Sequence, residues 1–228
     1  MEVRADQLFA KLSLMRFVNR TDAGQKMAEA LKPQCQGQSV VVFAIPRGGV
    51  VLGAEIARVL KASLDLVIVR KVGHPFNPEY AVCVVTDNQE IVCDEKEAAQ
   101  IDPQILKQAI AKERAEARRR RHVYLSGRLA KSVANKTAVL VDDGAATGMT
   151  FLAALKELKR KAPKSIIAAL PIVSPDVANK IIAEGVRLVA LDQPKIFLGA
   201  VGAYYDDFSQ VEDEQVVRLL NRTKENPR

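Results

Sequence analysis

Apolar residues recur along the chain in two alternating rhythms. Short continuous runs at 39–44 (SVVVFA), 64–69 (LDLVIV), 137–141 (TAVLV), 165–173 (SIIAALPIV) and 186–191 (VRLVAL) read as buried strands. Other stretches carry apolar positions three and four residues apart. These are AGQKMAEAL behind the candidate caps Thr21 and Asp22, VVLGAEIARVL at 50–60, the stretch 149–161, and SPDVANKIIAEG, where Ser174 is placed to cap and Pro175 to open the helix. Continuous apolar strands alternating with amphipathic helices predict the α/β class, with a mainly parallel sheet flanked by helices on both faces.

The alternation breaks in the middle. VGHPFNPEY, at 72–80, holds Gly73, Pro75, Asn77 and Pro78 and reads as a loop; AVCVVTDNQEIVCDE reads as two strands joined at Asp87 and Asn88; the stretch 103–123 is helical and highly charged. The reading is one domain over 1–228 with an inserted helical and hairpin subdomain at about 81–136, and a last helix in DDFSQVEDEQVVRLL. A length of 228 residues suits one large α/β domain. There is no Trp and only 5% of residues are aromatic, so the core must be built from Val, Leu, Ile and Ala. No apolar run approaches the roughly 20 residues of a membrane helix, and MEVRADQLFAKL lacks a signal-peptide apolar stretch. Cys35, Cys83 and Cys93 are odd in number and widely spaced, which argues against a disulfide framework or a Cys-x-x-Cys metal site and for a cytoplasmic protein, with Cys83 and Cys93 as core residues. The net charge of +7 suits an anionic partner.

Chemistry concentrates in VLVDDGAATGMT, 139–150. Two adjacent carboxylates, Asp142 and Asp143, follow a buried run, and burial raises the cost of their repulsion. In open α/β sheets ligands bind beyond the carboxyl ends of the strands. The loop Gly144, Ala145, Ala146, Thr147 and Gly148 is free of bulk and leads into a helix at Met149 and Thr150, whose unpaired N–H groups suit a phosphate. The acids suit a vicinal diol, whose hydroxyls can donate to ionised carboxylates. The motif alone therefore points to a ribose 5-phosphate, against the plain alternative of a strand–loop–helix connection with surface acids. Walker A and dinucleotide glycine fingerprints are absent.

The same stretch resembles the phosphoribosyl diphosphate (PRPP) motif of the type I phosphoribosyltransferases. NRTDAG, AIPRGGVVLGAEIA, DLVIVRKVGHPFNPEYAV and AVGAYYDDFSQVEDEQV extend the resemblance, in order, over nearly the whole chain, to an uncharacterised bacterial branch of that family. The resemblance implies a C-terminal hood segment, Mg2+ as cofactor, and displacement of pyrophosphate from PRPP by a nitrogen nucleophile. It implies that Asp142 and Asp143 bind the ribose hydroxyls and position the metal, mainly through water, while residues 145–150 wrap the 5-phosphate. Pro46, Arg47, Gly48 and Gly49 match the pyrophosphate loop, with a non-proline cis bond expected at Arg47–Gly48. Arg47, Arg70 and Lys71 are the candidate catalytic cations, and 72–80 the candidate mobile lid. Dimers are frequent in the family, which allows a homodimer.

The acceptor is less legible. Purine-salvage members for 6-oxopurines place an acid just before Thr-Gly, where this chain has Ala146. KIFLGAVGAYYDDF weakly resembles their base-stacking segment, which makes Phe197, Tyr204 and Tyr205 candidates for acceptor binding and Asp206 or Asp207 for a place near the metal. His74 and Glu79 in the lid are weaker candidates. ERAEARRRRHVYL, spanning most of the basic stretch 112–122, reads as a solvated helix face in preference to a nucleic-acid site, because Glu116 stands at helical spacing from Arg119 and Arg120 and no aromatics interleave; His122 at its end suits the helix dipole. The rival function is a non-catalytic PRPP-binding regulator on the same fold, and a metal-dependent hydrolase is a more distant reading.

Overall fold

The computed structural model describes residues 15–88, 90–128 and 131–223, so MEVRADQLFAKL lies outside the described residues. Elements follow in the order α1 (Arg20–Cys35), β1 (Val40–Ala44), α2 (Gly48–Leu60), β2 (Ser63–Leu66), β3 (Val69–His74), β4 (Asn77–Thr86), β5 (Ile91–Cys93), α3 (Glu95–Ala98), α4 (Pro103–Leu125), β6 (Thr137–Val141), α5 (Met149–Arg160), β7 (Ser165–Ile172), α6 (Pro175–Ala183), β8 (Arg187–Asp192), a 3-10 turn (Val201–Tyr204) and α7 (Asp213–Arg222). Five strands form a parallel sheet in the order β2-β1-β6-β7-β8. The order reverses direction between β1 and β6, the switch point at which such sheets open a ligand crevice.

The central strand β6 is buried at all five residues, as its unbroken TAVLV run requires. One core layer holds Met27, Leu31, Leu52, Ile56, Leu66 and Val139; the other holds Phe43, Leu140, Phe151, Leu155 and Ile181. Each such side chain contributes about 1.5–3 kcal/mol. Helix α1 lies against α2 at the closest range, since a Cβ added at Gly24 would stand 2.9 Å from the Leu52 backbone.

Several boundaries differ from expectation. The cap of α1 is Asn19, not Thr21 or Asp22: its extended backbone lets Oδ1 accept the Asp22 N–H at 3.0 Å. The apolar run 64–69 is not one strand. Its residues stay buried, but they leave the main sheet at Leu66 and enter a second, antiparallel sheet β3-β4-β5 at Val69. VGHPFNPEY is not a loop either. It forms the β3–β4 hairpin, with His74 opposite Asn77 and the reversal at Pro75–Phe76, where Pro sets the turn dihedral and His74 Nδ1 accepts the Phe76 N–H at 3.2 Å. Phe76 at the tip is 90% exposed.

The cysteine reading is also corrected. Cys83 and Cys93 are directly opposite in the β4–β5 register and form a disulfide, leaving Cys35 as the buried free thiol. Spacing alone hid this, because ten residues of hairpin bring the two positions face to face. The pair removes the cysteine ground for assigning a reducing compartment. Among the described residues, no helix is long and apolar enough to cross a membrane.

Candidate active site

The acid motif sits where β6 ends. Beyond Val141, Asp142 and Asp143 are partly buried, and the loop returns against β7: Ala145 N–H donates to the Ile172 carbonyl at 3.0 Å and Ser174 N–H to the Ala145 carbonyl at 3.0 Å. Ser174 occupies the α6 cap position, yet its hydroxyl is turned away from that helix and donates to the Ala146 carbonyl at 2.8 Å. It thereby braces the small-residue loop. Gly148 holds a left-handed conformation, φ 76°, at the entrance of α5, and no side chain among the described residues caps that helix. Its first-turn N–H groups carry the partial positive charge that suits an anion.

The Pro-Arg-Gly-Gly loop closes on the acids from the end of β1. A Cβ added at Gly48 would stand 1.9 Å from Asp143 Oδ2, and one at Gly49 would stand 3.0 Å from Asp142 Oδ1 and 2.9 Å from the Val141 carbonyl. The non-proline cis bond is at Pro46–Arg47, one bond before the expected Arg47–Gly48. Gly48 answers a different demand, the contact with the Asp143 carboxylate.

Burial and the neighbouring Asp143 charge push Asp142 well above the ordinary carboxylate range. Burial also raises Asp143, against the pull of Arg20. Arg20 Nε donates to Asp143 Oδ2 at 2.7 Å, and the Tyr205 hydroxyl donates to the Asp143 backbone carbonyl at 2.6 Å. Burial, with the Asp143 charge next, pushes the Tyr205 phenol upward, so it stays a donor. Asp142 Oδ1 accepts the Asp143 N–H at 2.9 Å.

The three candidate cations part company. Arg47 reaches Glu212 Oε2 at 3.5 Å and Asp213 Oδ1 at 3.6 Å, at the start of α7. Asp213 is shared with the Tyr124 hydroxyl, at 2.5 Å, and with Arg119, at 3.4 Å. Arg70 and Lys71 are consecutive on β3, so they face opposite sides of the sheet. Arg70 pairs with Glu113 of α4 at 2.8 Å, whereas the charge of exposed Lys71 is felt at Asp142.

A phosphoribosyl transferase domain model matches residues 18–207. The chain belongs to the type I phosphoribosyltransferase family. A curated relative from Mycobacterium tuberculosis H37Rv, provisionally named a phosphoribosyl transferase, is 35% identical over 208 residues, covering 90% of this chain and 46% of its own length. The chain thus spans about half the length of the curated relatives it matches. The crystal structure of TT1426 from Thermus thermophilus is 40% identical, covers 91% of this chain and 99% of that one, and superposes with a TM-score of 0.75. A hypothetical protein of Neisseria gonorrhoeae solved with bound ppGpp shares the fold alone, at 11% identity and a TM-score of 0.50 over 91% of this chain and 96% of its own.

In this family member the C-terminal candidates fall mostly into the core. Tyr204 is 1% exposed and its hydroxyl accepts the Leu198 N–H at 2.9 Å, leaving no open ring face for a base. Tyr205 is buried between Phe17 and Phe208, with ring centroids 5.2 and 5.0 Å away, and serves the acid motif through its hydroxyl. Phe197 packs on Tyr204 at 5.2 Å. Asp206 pairs with Arg16, and Asp207 accepts the Ser209 N–H at 2.9 Å, so both carboxylates are engaged away from the acid pair. In the basic helix Glu116 binds both Arg119 and Arg120, at 2.7 and 2.9 Å; Arg119 is half exposed and also reaches Asp213 of α7, while Arg120 is largely buried, so the face is solvated only in part. Two residues that sequence reading missed, Arg20 and Ser174, hold the site from neighbouring elements. Arg20 had one signal: a cation at the first position of a helix meets the unfavourable end of the dipole.

Proposed function

We propose that this phosphoribosyltransferase transfers the 5-phosphoribosyl group of PRPP to a nitrogen nucleophile and releases pyrophosphate. One observation carries the reading. The glycine backbone of the Pro-Arg-Gly-Gly loop lies in contact with the two aspartates, with the uncapped start of α5 following them by six residues. A single ligand carrying a 5-phosphate, a vicinal diol and a 1-diphosphate matches that order of sites.

In this reading residues 145–150 hold the 5-phosphate and Asp142 and Asp143 accept from the ribose hydroxyls. The backbone of Gly48 and Gly49, with Arg47 and Lys71, receives the diphosphate. The C1–O bond breaks with its electron pair leaving on pyrophosphate, the acceptor nitrogen forms the new C1–N bond, and its proton passes to the departing pyrophosphate or to solvent. Negative charge grows on the leaving group, so preorganised cations next to it lower the barrier.

Mg2+ fits this donor set in a limited way. Among the described residues no three His, Cys, Asp or Glu side chains gather into a metal site, but Mg2+ commonly keeps several waters and binds through one or two carboxylates plus substrate phosphates. Asp142 and Asp143 would supply those carboxylates, and the ion would neutralise charge on the diphosphate. Ala146 offers no proton acceptor beside Thr147, so the acceptor is a nitrogen compound that does not depend on an acid there.

The test is pyrophosphate release from PRPP and Mg2+ across a panel of nucleobases and amines. Release that depends on one acceptor class supports the transferase. Tight PRPP binding with no release for any acceptor favours the non-catalytic regulator.

A further inference from the structure

Arg20, in the NRTDAG stretch, has no role assigned from the sequence, yet it touches the acid motif and the segment at Phe208 and Ser209. Its Nε donates to Asp143 Oδ2 at 2.7 Å and one terminal nitrogen donates to the Ser209 carbonyl at 2.7 Å, while its guanidinium carbon stands 3.7 Å from the centroid of the Phe208 ring. A Cβ added at Gly48 would stand 2.8 Å from Arg20 Nε, so the pyrophosphate loop rests on the same ion pair. The Arg20 and Asp143 side chains are only 12% and 16% exposed. A guanidinium fork serves two acceptors and an aromatic face at once, which an ammonium does not.

The setting is costly without a purpose. Arg20 opens α1, where the helix dipole disfavours a cation, and it is largely buried there. The Asp143 carboxylate offsets both penalties. The Arg20 bond is to Oδ2 alone, so the pairing fixes the carboxylate through one of its two oxygens.

We infer that Arg20 is a positioning residue. It orients Asp143 toward the ribose hydroxyls and ties that acid to the Phe208–Ser209 segment. The inference rests on the diol reading above and extends it to a residue that does not touch the ligand.

The test compares wild type with Arg20→Met, Arg20→Lys, Asp142→Asn, Asp143→Asn and the Arg20→Met/Asp143→Asn double variant. Ribose 5-phosphate and inorganic phosphate are titrated separately by NMR, below the melting temperature of every variant. Arg20→Met is expected to weaken ribose 5-phosphate binding about tenfold, the order of one charge-assisted hydrogen bond, and to change phosphate binding less than about threefold. Arg20→Lys should recover only part of the loss. The double variant should bind like Asp143→Asn alone, because Arg20 acts through that carboxylate.

Fully additive losses, or loss of both probes in a folded Arg20→Met protein, would overturn the inference. So would unchanged ribose 5-phosphate binding in Arg20→Met when Asp143→Asn loses it, and in that case the diol reading survives. If both aspartate variants keep full affinity, the diol reading itself fails and the role of Arg20 goes with it.

Discussion

The carboxyl end of the parallel sheet and the antiparallel β3–β5 unit are held together by different means. At the sheet end, β6 is wholly buried, and two glycines let the loop after β1 meet the acids after β6 across about 95 residues of chain. The β3–β5 unit has a small core around Val72, Val82, Cys83, Val85 and Ile101. It relies on polar ties: Arg70–Glu113, Arg121–Asp87, and the buried Glu157, which accepts from Asn88 at 2.8 Å. The hairpin tip carries Phe76 into solvent. A donor site built into close packing tolerates little change, whereas the polar, half-open flank should tolerate change away from Lys71, which it lends to the site.

That contrast is broken most directly at Gly48. Gly48→Ala should reduce PRPP-dependent pyrophosphate release by about 100-fold or more, since the new methyl would overlap the Asp143 carboxylate and Arg20 Nε and displace that ion pair. Phe76→Ala at the hairpin tip should leave the melting curve within about 0.5 kcal/mol. Equal effects at both positions would erase the distinction between the regions.

Reduction of the Cys83–Cys93 bridge should destabilise the fold by about 2–3 kcal/mol, the closure entropy of a ten-residue separation. Thermal melts with and without a thiol reductant measure this. Identical melts would show that the flank does not depend on the bridge.

A smaller effect separates the neighbours on β3. Lys71→Ala should weaken PRPP binding about tenfold with little change in melting, because Lys71 is exposed and its charge is felt at Asp142. Arg70→Ala should instead cost about 1–2 kcal/mol of stability by leaving the partly buried Glu113 unpaired. A reversal would mean that the strand presents its faces the other way.

The smallest effect lies in the flank's charge network. Hydrogen bonds from Arg119, and then Arg120, hold Glu116 down to about 2. A folded value below the unfolded one means that the stabilisation is present above about pH 4.5 and is lost as pH falls toward 2. Solvent screening keeps it under about 1 kcal/mol. Glu116→Gln should flatten that part of the acid-denaturation curve.

The same contrast explains what the sequence revealed. The strand–acid–glycine order of VLVDDGAATGMT is local, and so are the apolar runs that set the parallel sheet, so both were legible. The run 64–69 was apolar apart from Asp65 but served two sheets, and no periodicity marks where a buried chain changes sheet. VGHPFNPEY looked like a loop because its prolines and glycine carry turn chemistry, yet the pairing of Val72 with Cys83, Gly73 with Ala81 and His74 with Asn77 organises it as a hairpin. The Cys83–Cys93 contact depended on hairpin register. Arg20 and Ser174 act on residues 123 and 28 positions away, which no local pattern encodes.

Calorimetric titration of PRPP with Mg2+ into wild type and Asp142→Asn tests the donor-site assignment most directly. Saturable one-to-one binding by wild type is expected, weakened at least about tenfold in the variant, with no fall in melting temperature because a buried charge is relieved. Equal affinity in the two folded proteins, or no binding by wild type, would contradict it.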